Sequence, residues 1–395
     1  MFTIALRPLV LALAFCAVGA PFGFGQAATA EAPHRPGSVV HLPAVDQAVT
    51  DTARVLAGLA PSPSSRLAAV AARPEWQEWQ REFDNKWTQA TTDRFAKIAT
   101  WRNHELAAAT LGCGTLMYPF AGPDILNALL FFPDCKRYVM FGLEQTGSLP
   151  PIDQLPPERL ALLLDETRHA LNDLLERNYF ITSHMMQDTA AQELRGTLPL
   201  MAVILVRMQA QIISVRELEI DDAGQLVPRL PATKERRPVN ALELVFARPD
   251  HDPQTVVYFR AQAEDVAIKR RPGVLAFLKQ DAPYPTFLKS ASYLLHGNDF
   301  SVVRQIVLAH SRLVLEDDSG VPLRFFKAPD WTVTFYGKYD KPVKDFNYGF
   351  QEDMAKIYAD GKAVKPLPFS FGYHWKDGAS SVLLAISHPP APAQK

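Results

Sequence analysis

The chain has 395 residues, 48% of them hydrophobic and 21% charged, with 41 lysines and arginines against 42 aspartates and glutamates. A net charge of −1 leaves no global field to recruit nucleic acid or an anionic membrane, which excludes an electrostatic binder of either. The length predicts one large domain or two ordinary ones.

The N-terminus carries Arg7, a run of small and apolar residues at 9–20, a Gly-rich stretch and Ala28-Thr29-Ala30. That sequence of charge, apolar run and small residues is a secretory signal over residues 1–30. The run is short for a bilayer span, so cleavage is expected rather than anchoring. Phe15 before Cys16 speaks against lipid attachment. The mature chain is therefore expected to be exported, periplasmic or extracellular, soluble, and without an integral membrane span. Residues 31–73, rich in Pro, Ala and Ser, read as a loosely ordered leader with one short helix at 44–59. Across residues 74–110, Trp76, Trp79, Phe83, Trp87, Phe95, Ile98 and Trp101 recur at helical spacing among charged residues. This row is either an amphipathic helix docked on the main domain or an aromatic platform for sugar stacking. Docking is the commoner use of such a pattern.

Residues 111–388 form the main domain. Residues 111–115, LGCGT, match a methyltransferase turn, but such a turn needs a buried strand before it. Alanine-rich, helix-forming sequence stands there instead, and the strand comes afterwards, at residues 115–120. Residues 121–124, AGPD, punctuate that strand. A short helix at 125–132 and a second strand at 137–143, closed by Glu144, complete a βαβ unit with adjacent parallel strands. A long helix follows at 156–177, and residues 198–206 are apolar enough to be either helix or buried strand. Residues 212–220 look extended, and 241–247 with 255–261 alternate as a hairpin. Residues 271–280 and 285–296 read as helical, and Asp299 as the N-cap of a helix over 300–311. A strand at 313–315 ends in a polar turn, Glu316 to Gly320. The tail gives a strand at 331–336, a helix at 344–359 and a terminal hairpin of 368–375 with 380–387; residues 389–395 fray. The fold class is α/β, a Rossmann-like, methyltransferase-like parallel core with an antiparallel hairpin insertion and a C-terminal hairpin.

In open α/β sheets ligands bind beyond the carboxyl ends of the strands. Tyr118, Gly122 and Asp124 at the end of the first strand, and Glu144 at the end of the second, are therefore the ligand-binding candidates. An ordinary structural turn is the alternative. Cys113 and Cys135 each lie two residues before one of these parallel strands. Strand spacing of ~5 Å then brings both thiols to the amino edge, within disulfide reach, unless they remain two unpaired core thiols. A second constellation, TFLKSASYLLH, places Lys289 and His296 seven apart, on one face of the expected helix. With the acidic Glu316 turn these are the catalytic candidates, set against the reading of the turn as capped surface. His169 and His184 read as surface or packing residues, and the runs 233–237 and 269–271 as solvated. There is no HExxH, Walker loop, GxSxG or CxxC, and no metal site or cofactor is assigned. A small molecule is the expected partner, and no nucleic acid.

The strings YPFAGPDILNALLFFPDCKRYVMFGLE, TFLKSASYLLH and LEDDSGVPLRFF resemble an uncharacterised exported bacterial family. The resemblance runs from about residue 111 to the C-terminus. It implies that 118–124, Glu144, 289–296 and 316–320 belong to one kind of domain, and it implies no substrate, cofactor or catalytic residue. Three functions stay open: a small-ligand-binding or hydrolase-type protein, a non-catalytic envelope or interaction protein on a degenerate nucleotide-binding scaffold, and a methyltransferase-like enzyme.

Overall fold

A computed structural model describes residues 44–180, 193–230, 238–375 and 378–388. The expected signal and cleavage site, His184, the run 233–237 and residues 389–395 lie outside the described residues.

Among the described residues eleven strands form one mixed sheet: β1 Thr115–Pro119, β2 Arg137–Gly142, β3 Gln211–Ile220, β4 Leu226–Pro228, β5 Val239–Ala247, β6 Gln254–Arg260, β7 Tyr284–Leu288, β8 Ser311–Glu316, β9 Trp331–Gly337, β10 Val364–Lys365 and β11 Ser381–Ser387. Their spatial order is β10-β9-β11-β8-β7-β1-β2-β6-β5-β3-β4. The central run β8-β7-β1-β2-β6 is parallel throughout. The β3–β5 insertion continues it antiparallel on one side, and β11 lies antiparallel between β8 and β9 on the other.

The main helices are α1 Gln47–Leu56, α2 Pro74–Ala90, α3 Ala96–Glu105, α4 Ile125–Phe131, α5 Pro157–Arg177, α6 Leu198–Arg207, α7 Pro272–Leu278, α8 Ser301–His310 and α9 Glu352–Asp360. Both faces of the central strands are covered, which is why β1 and β7 are buried at every position and show no polar alternation. Leu116, Tyr118, Tyr138 and Phe287 share one core with α1 to α6. Met117, Val139, Phe141 and Leu288 share the other with α7, α8 and α9. Residues 198–206 are helical and buried throughout, so composition alone could not separate helix from strand there.

Cys113 and Cys135 are joined by a disulfide, with their Cα atoms 4.5 Å apart. The parallel register pairs Thr115 with Arg137, so both cysteines sit just ahead of the amino ends of β1 and β2, where the spacing argument placed them.

The aromatic row is core rather than a sugar platform. Trp76 and Trp79 are 2% and 5% exposed, and their indole N–H groups donate to the carbonyls of Val55 at 2.8 Å and Leu56 at 3.0 Å. Those acceptors belong to α1, so the stretch read as a loose leader carries a buried helix that anchors α2. A π-helical turn, Thr91–Phe95, separates α2 from α3.

Four expectations are corrected. Residues 285–296 are not one helix: β7 ends at Leu288 and a 3₁₀ helix covers Ala291–His296. Asp299 does not cap α8, whose N-cap is Phe300; Asp265 performs the service, accepting from the Val302 N–H at 2.9 Å and from the Ser301 hydroxyl. The stretch 344–359 is broken into a 3₁₀ turn, Lys344–Gly349, and α9, with Phe350 extended between them. Residues 368–375 contain a 3₁₀ turn, Gly372–His374, rather than a strand, so β11 has no hairpin partner there and pairs with β8 and β9 instead.

Candidate functional site

The strand order reverses between β1 and β7: β2 and β6 follow on one side of β1, β7 and β8 on the other. Chains leaving β1 and β7 therefore depart to opposite faces of the sheet and leave a crevice at their carboxyl ends. A crevice of about 30 Å³ lies there, lined by Tyr118, Phe120, Ala121, Gly122, Asp124, Glu144, Tyr179, Phe180, Lys289, Ser290 and Ala291. All four ligand-binding candidates line it. Of the three catalytic candidates only Lys289 does.

Local sequence explains the lining from β1. Phe120 and Gly122 both take positive φ, 59° and 52°, and turn the chain sharply out of the strand. Asp124 then caps α4, accepting from the Asn127 N–H at 3.2 Å. Its carboxylate also accepts from the Asn127 amide at 2.9 Å and 3.0 Å and from the Tyr118 hydroxyl at 2.9 Å. Across the crevice the Lys289 ammonium stands 2.7 Å from Asp124 Oδ2, with both side chains no more than 3% exposed. The ammonium donates as well to the carbonyl of Asn178, the left-handed residue that closes α5. Burial pulls the Lys289 pKa down, and the Asp124 carboxylate opposes that pull.

Glu144 folds back over the end of β2. A Cβ on Gly142 would collide with its Oε2, so the absence of a side chain there admits the carboxylate, which also lies against Gly122. Tyr258 on β6 donates to Glu144 Oε2 at 3.2 Å. Burial holds the Glu144 pKa above the ordinary glutamate value, against its hydrogen bonds and the Arg260 charge.

The turn after β8 is the largest departure from expectation. Glu316, Asp317, Asp318 and Ser319 are 2%, 2%, 3% and 0% exposed, where a solvated polar turn was expected. Asp317 accepts from the Ser290 N–H at 2.9 Å and from the Ser319 N–H at 3.0 Å. Asp318 accepts the Tyr293 hydroxyl, and Glu316 the Val321 N–H at 2.8 Å. Burial raises all three carboxyls, Asp317 to about 7 and Asp318 to about 6, each with help from a neighbouring acid or against its hydrogen bonds. Glu316 thus closes its own turn and does not reach the crevice. His296 lies beside the Tyr293 ring, centroids 5.3 Å apart, and burial depresses its pKa to about 4. It does not share a helical face with Lys289, because the 3₁₀ helix begins only at Ala291 and Ser290, at φ 58°, turns the chain between them. Among the described residues no group of three or more His, Cys, Asp or Glu is placed to hold a metal ion.

Sequence reasoning missed Ser290, took Asp317 only as part of the acidic turn, and missed Asn178 and Tyr258. The first two follow once β7 is recognised as a strand, since its end then lies beside those of β1 and β8. Larger cavities exist. One of about 670 Å³ is lined by Lys86, Arg94, Lys97, Leu175, Phe369 and Trp375, among others. It opens beside the helical layer, and its buried cation is engaged: Arg94 donates to the carbonyls of Leu174 and Leu175 at 3.0 Å each. The switch-point crevice is smaller but receives side chains from three strand ends, and it is the candidate site for that reason.

In comparisons with known proteins, no family model, curated protein or solved structure matches this chain.

Proposed function

We propose that the chain is an exported small-ligand-binding protein of hydrolase type, built on a Rossmann-like sheet with its site at the switch-point crevice, and a member of the family its strings resemble. The observation that carries the reading is the meeting of Asp124, Glu144 and Lys289, from the ends of β1, β2 and β7, around one opening. The order β6-β2-β1-β7-β8 supports the Rossmann-like assignment, being third, second, first, fourth, fifth in a doubly wound sheet. The antiparallel β11 supports the methyltransferase-like variant of that sheet. A methyltransferase activity itself has less support, because about 30 Å³ does not hold a nucleoside-sized cofactor. The Asp124–Lys289 pair is neutral as a unit and Glu144 adds a negative charge, so an uncharged or cationic group suits the crevice better than an anion.

A second reading is a non-catalytic envelope or interaction protein on a degenerate nucleotide-binding scaffold. It is favoured by Asp124 serving at once as helix cap and ion-pair partner. A thermal-shift screen of the mature protein against small neutral metabolites and metal ions separates the two. Stabilisation that disappears in Glu144→Gln supports the site, and a flat response across the panel supports the scaffold reading instead.

A further inference from the structure

Ser290 is the second residue beyond β7, and its backbone takes φ 58° and ψ −77°. A non-glycine residue seldom adopts that strained conformation, which tends to cluster at functional sites. The residue is 3% exposed and lines the crevice, yet its hydroxyl has no hydrogen-bond partner among the described residues. A buried, unsatisfied hydroxyl on a wall of the candidate site is a group awaiting an occupant.

We propose that Ser290 is the nucleophile of an acyl-transfer reaction on esters of a short, uncharged acyl group of acetyl size. The inference rests on the crevice being a ligand site and goes beyond it by naming the attacking atom and the substrate class. The backbone runs from the end of a strand through a strained serine into a helical turn, the order of elements in a nucleophile elbow. The surrounding residues depart from the GxSxG pattern, with Leu288 and Ser292 in the flanking positions.

Asp317 is placed to act as general base. Its Oδ2 stands 2.9 Å from the Ser290 amide nitrogen, so the hydroxyl of the same residue reaches that carboxylate by one rotation about χ1. The raised pKa of Asp317 suits a base working near neutral pH. In the first step Oγ bonds to the acyl carbon while the carboxylate takes its proton. The ester C–O bond then breaks, and the departing alkoxide receives that proton and leaves as the alcohol. Water attacks the acyl-serine in the second step, loses its proton to the same carboxylate, and releases the acid as serine regains its hydrogen. The sum is ester plus water giving acid plus alcohol, with no oxidant or cofactor. A crevice of about 30 Å³ has room for one or two water-sized groups, which sets the acyl limit near acetyl.

The test is ester turnover by the mature protein with p-nitrophenyl acetate, butyrate and octanoate, combined with acid-quenched mass spectrometry. The expected result is a preference for acetate and a loss of about 100-fold or more in Ser290→Ala. Ser290→Cys should accumulate one acetyl group, mapped to residue 290. The proposal is overturned if folded Ser290→Ala keeps the rate, or if acetyl maps only to surface lysines. Should Ser290→Ala fail to fold, the Ser290→Cys map decides alone. A metabolite thermal shift that needs Glu144 but survives in Ser290→Ala would leave the ligand site standing while removing the nucleophile.

Discussion

The buried pair of Asp124 and Lys289 makes a quantitative demand on the fold. Lys289→Met removes the ammonium and leaves a carboxylate that is 2% exposed by residue, still served by Tyr118 and by the backbone and amide of Asn127. Breaking a buried pair from one side costs about 3–5 kcal/mol, and the surviving donors hold this variant to the lower end, near 3 kcal/mol. Asp124→Asn keeps an oxygen for the α4 cap but leaves the ammonium without its carboxylate partner, held by the Asn178 carbonyl, so a cost nearer 4 kcal/mol is expected. Removing both charges avoids either isolated ion, and Asp124→Asn with Lys289→Met should lie within about 2 kcal/mol of the unaltered protein. Urea unfolding at neutral pH reads these differences. With m of about 3 kcal/mol/M for a chain of this size, each single variant shifts the midpoint down by roughly 1 M, and the double variant by much less. A double variant whose loss equals the sum of the singles would refute the reasoning, since the two groups would then be energetically independent.

Three further outcomes follow from the same structure. Reducing the Cys113–Cys135 disulfide, or replacing both residues by Ala, should lower unfolding free energy by roughly 3 kcal/mol, the loop-closure value for a separation of 22 residues, with the midpoint in urea as the measure. Asp317 and Asp318 bind protons more tightly in the folded than in the unfolded chain, so their contribution is most favourable below about pH 4 and is lost as pH rises toward 6 and 7. Asp318→Asn should therefore gain on the unaltered protein as pH rises through that window, by on the order of 2 kcal/mol; a difference independent of pH would contradict the assignment. Gly142→Val would drive a branched side chain into Glu144 Oε2, so any ligand-induced thermal shift should vanish along with about 1–3 kcal/mol of stability.

The sequence carried the first βαβ unit well because AGPD and the Pro133-Asp134 break are local signals. The hairpin of β5 and β6 was legible for the same reason, each strand alternating against a polar loop. Residues 285–288 were read as part of a helix over 285–296 because a strand buried on both faces has no alternation to show, and the apolar run merged with Tyr293, Leu294 and Leu295 beyond it. That single merger concealed Ser290, whose positive φ has no glycine or asparagine to announce it. The acidic turn was misjudged for a different reason: three consecutive carboxyls look solvated, and only the position of β8 beneath the segment containing Gly372 buries them. A Cβ on Gly372 would stand 2.6 Å from Asp317 Oδ2, a contact between residues far apart in sequence that no local pattern encodes. Residues 368–375 alternate aromatic and polar like a strand, yet their rings pack in two directions, Phe369 and Phe371 toward Phe131 and Tyr373 toward Tyr179 and Tyr293.

The π-turn at Thr91–Phe95 sets the phase of everything after it. Its wider winding takes up one residue more than an α-turn, so the aromatic stripe of α2 and that of α3 need not face the same way. Before the turn, Trp79, Phe83 and Trp87 pack along α2 in sequence, with the Arg207 guanidinium 4.5 Å from the Phe83 ring centre. After it, Trp101 meets Phe131, Tyr336 and Phe369 edge-on, with centroids 5.0 to 6.0 Å away. Deleting one residue from the turn would leave composition and hydrophobicity almost untouched and rotate Trp101 by about 100° away from its three partners. The helix thus behaves as a mechanical key with two bits cut at different angles, and chain length between them is as strictly specified as any side chain in the crevice.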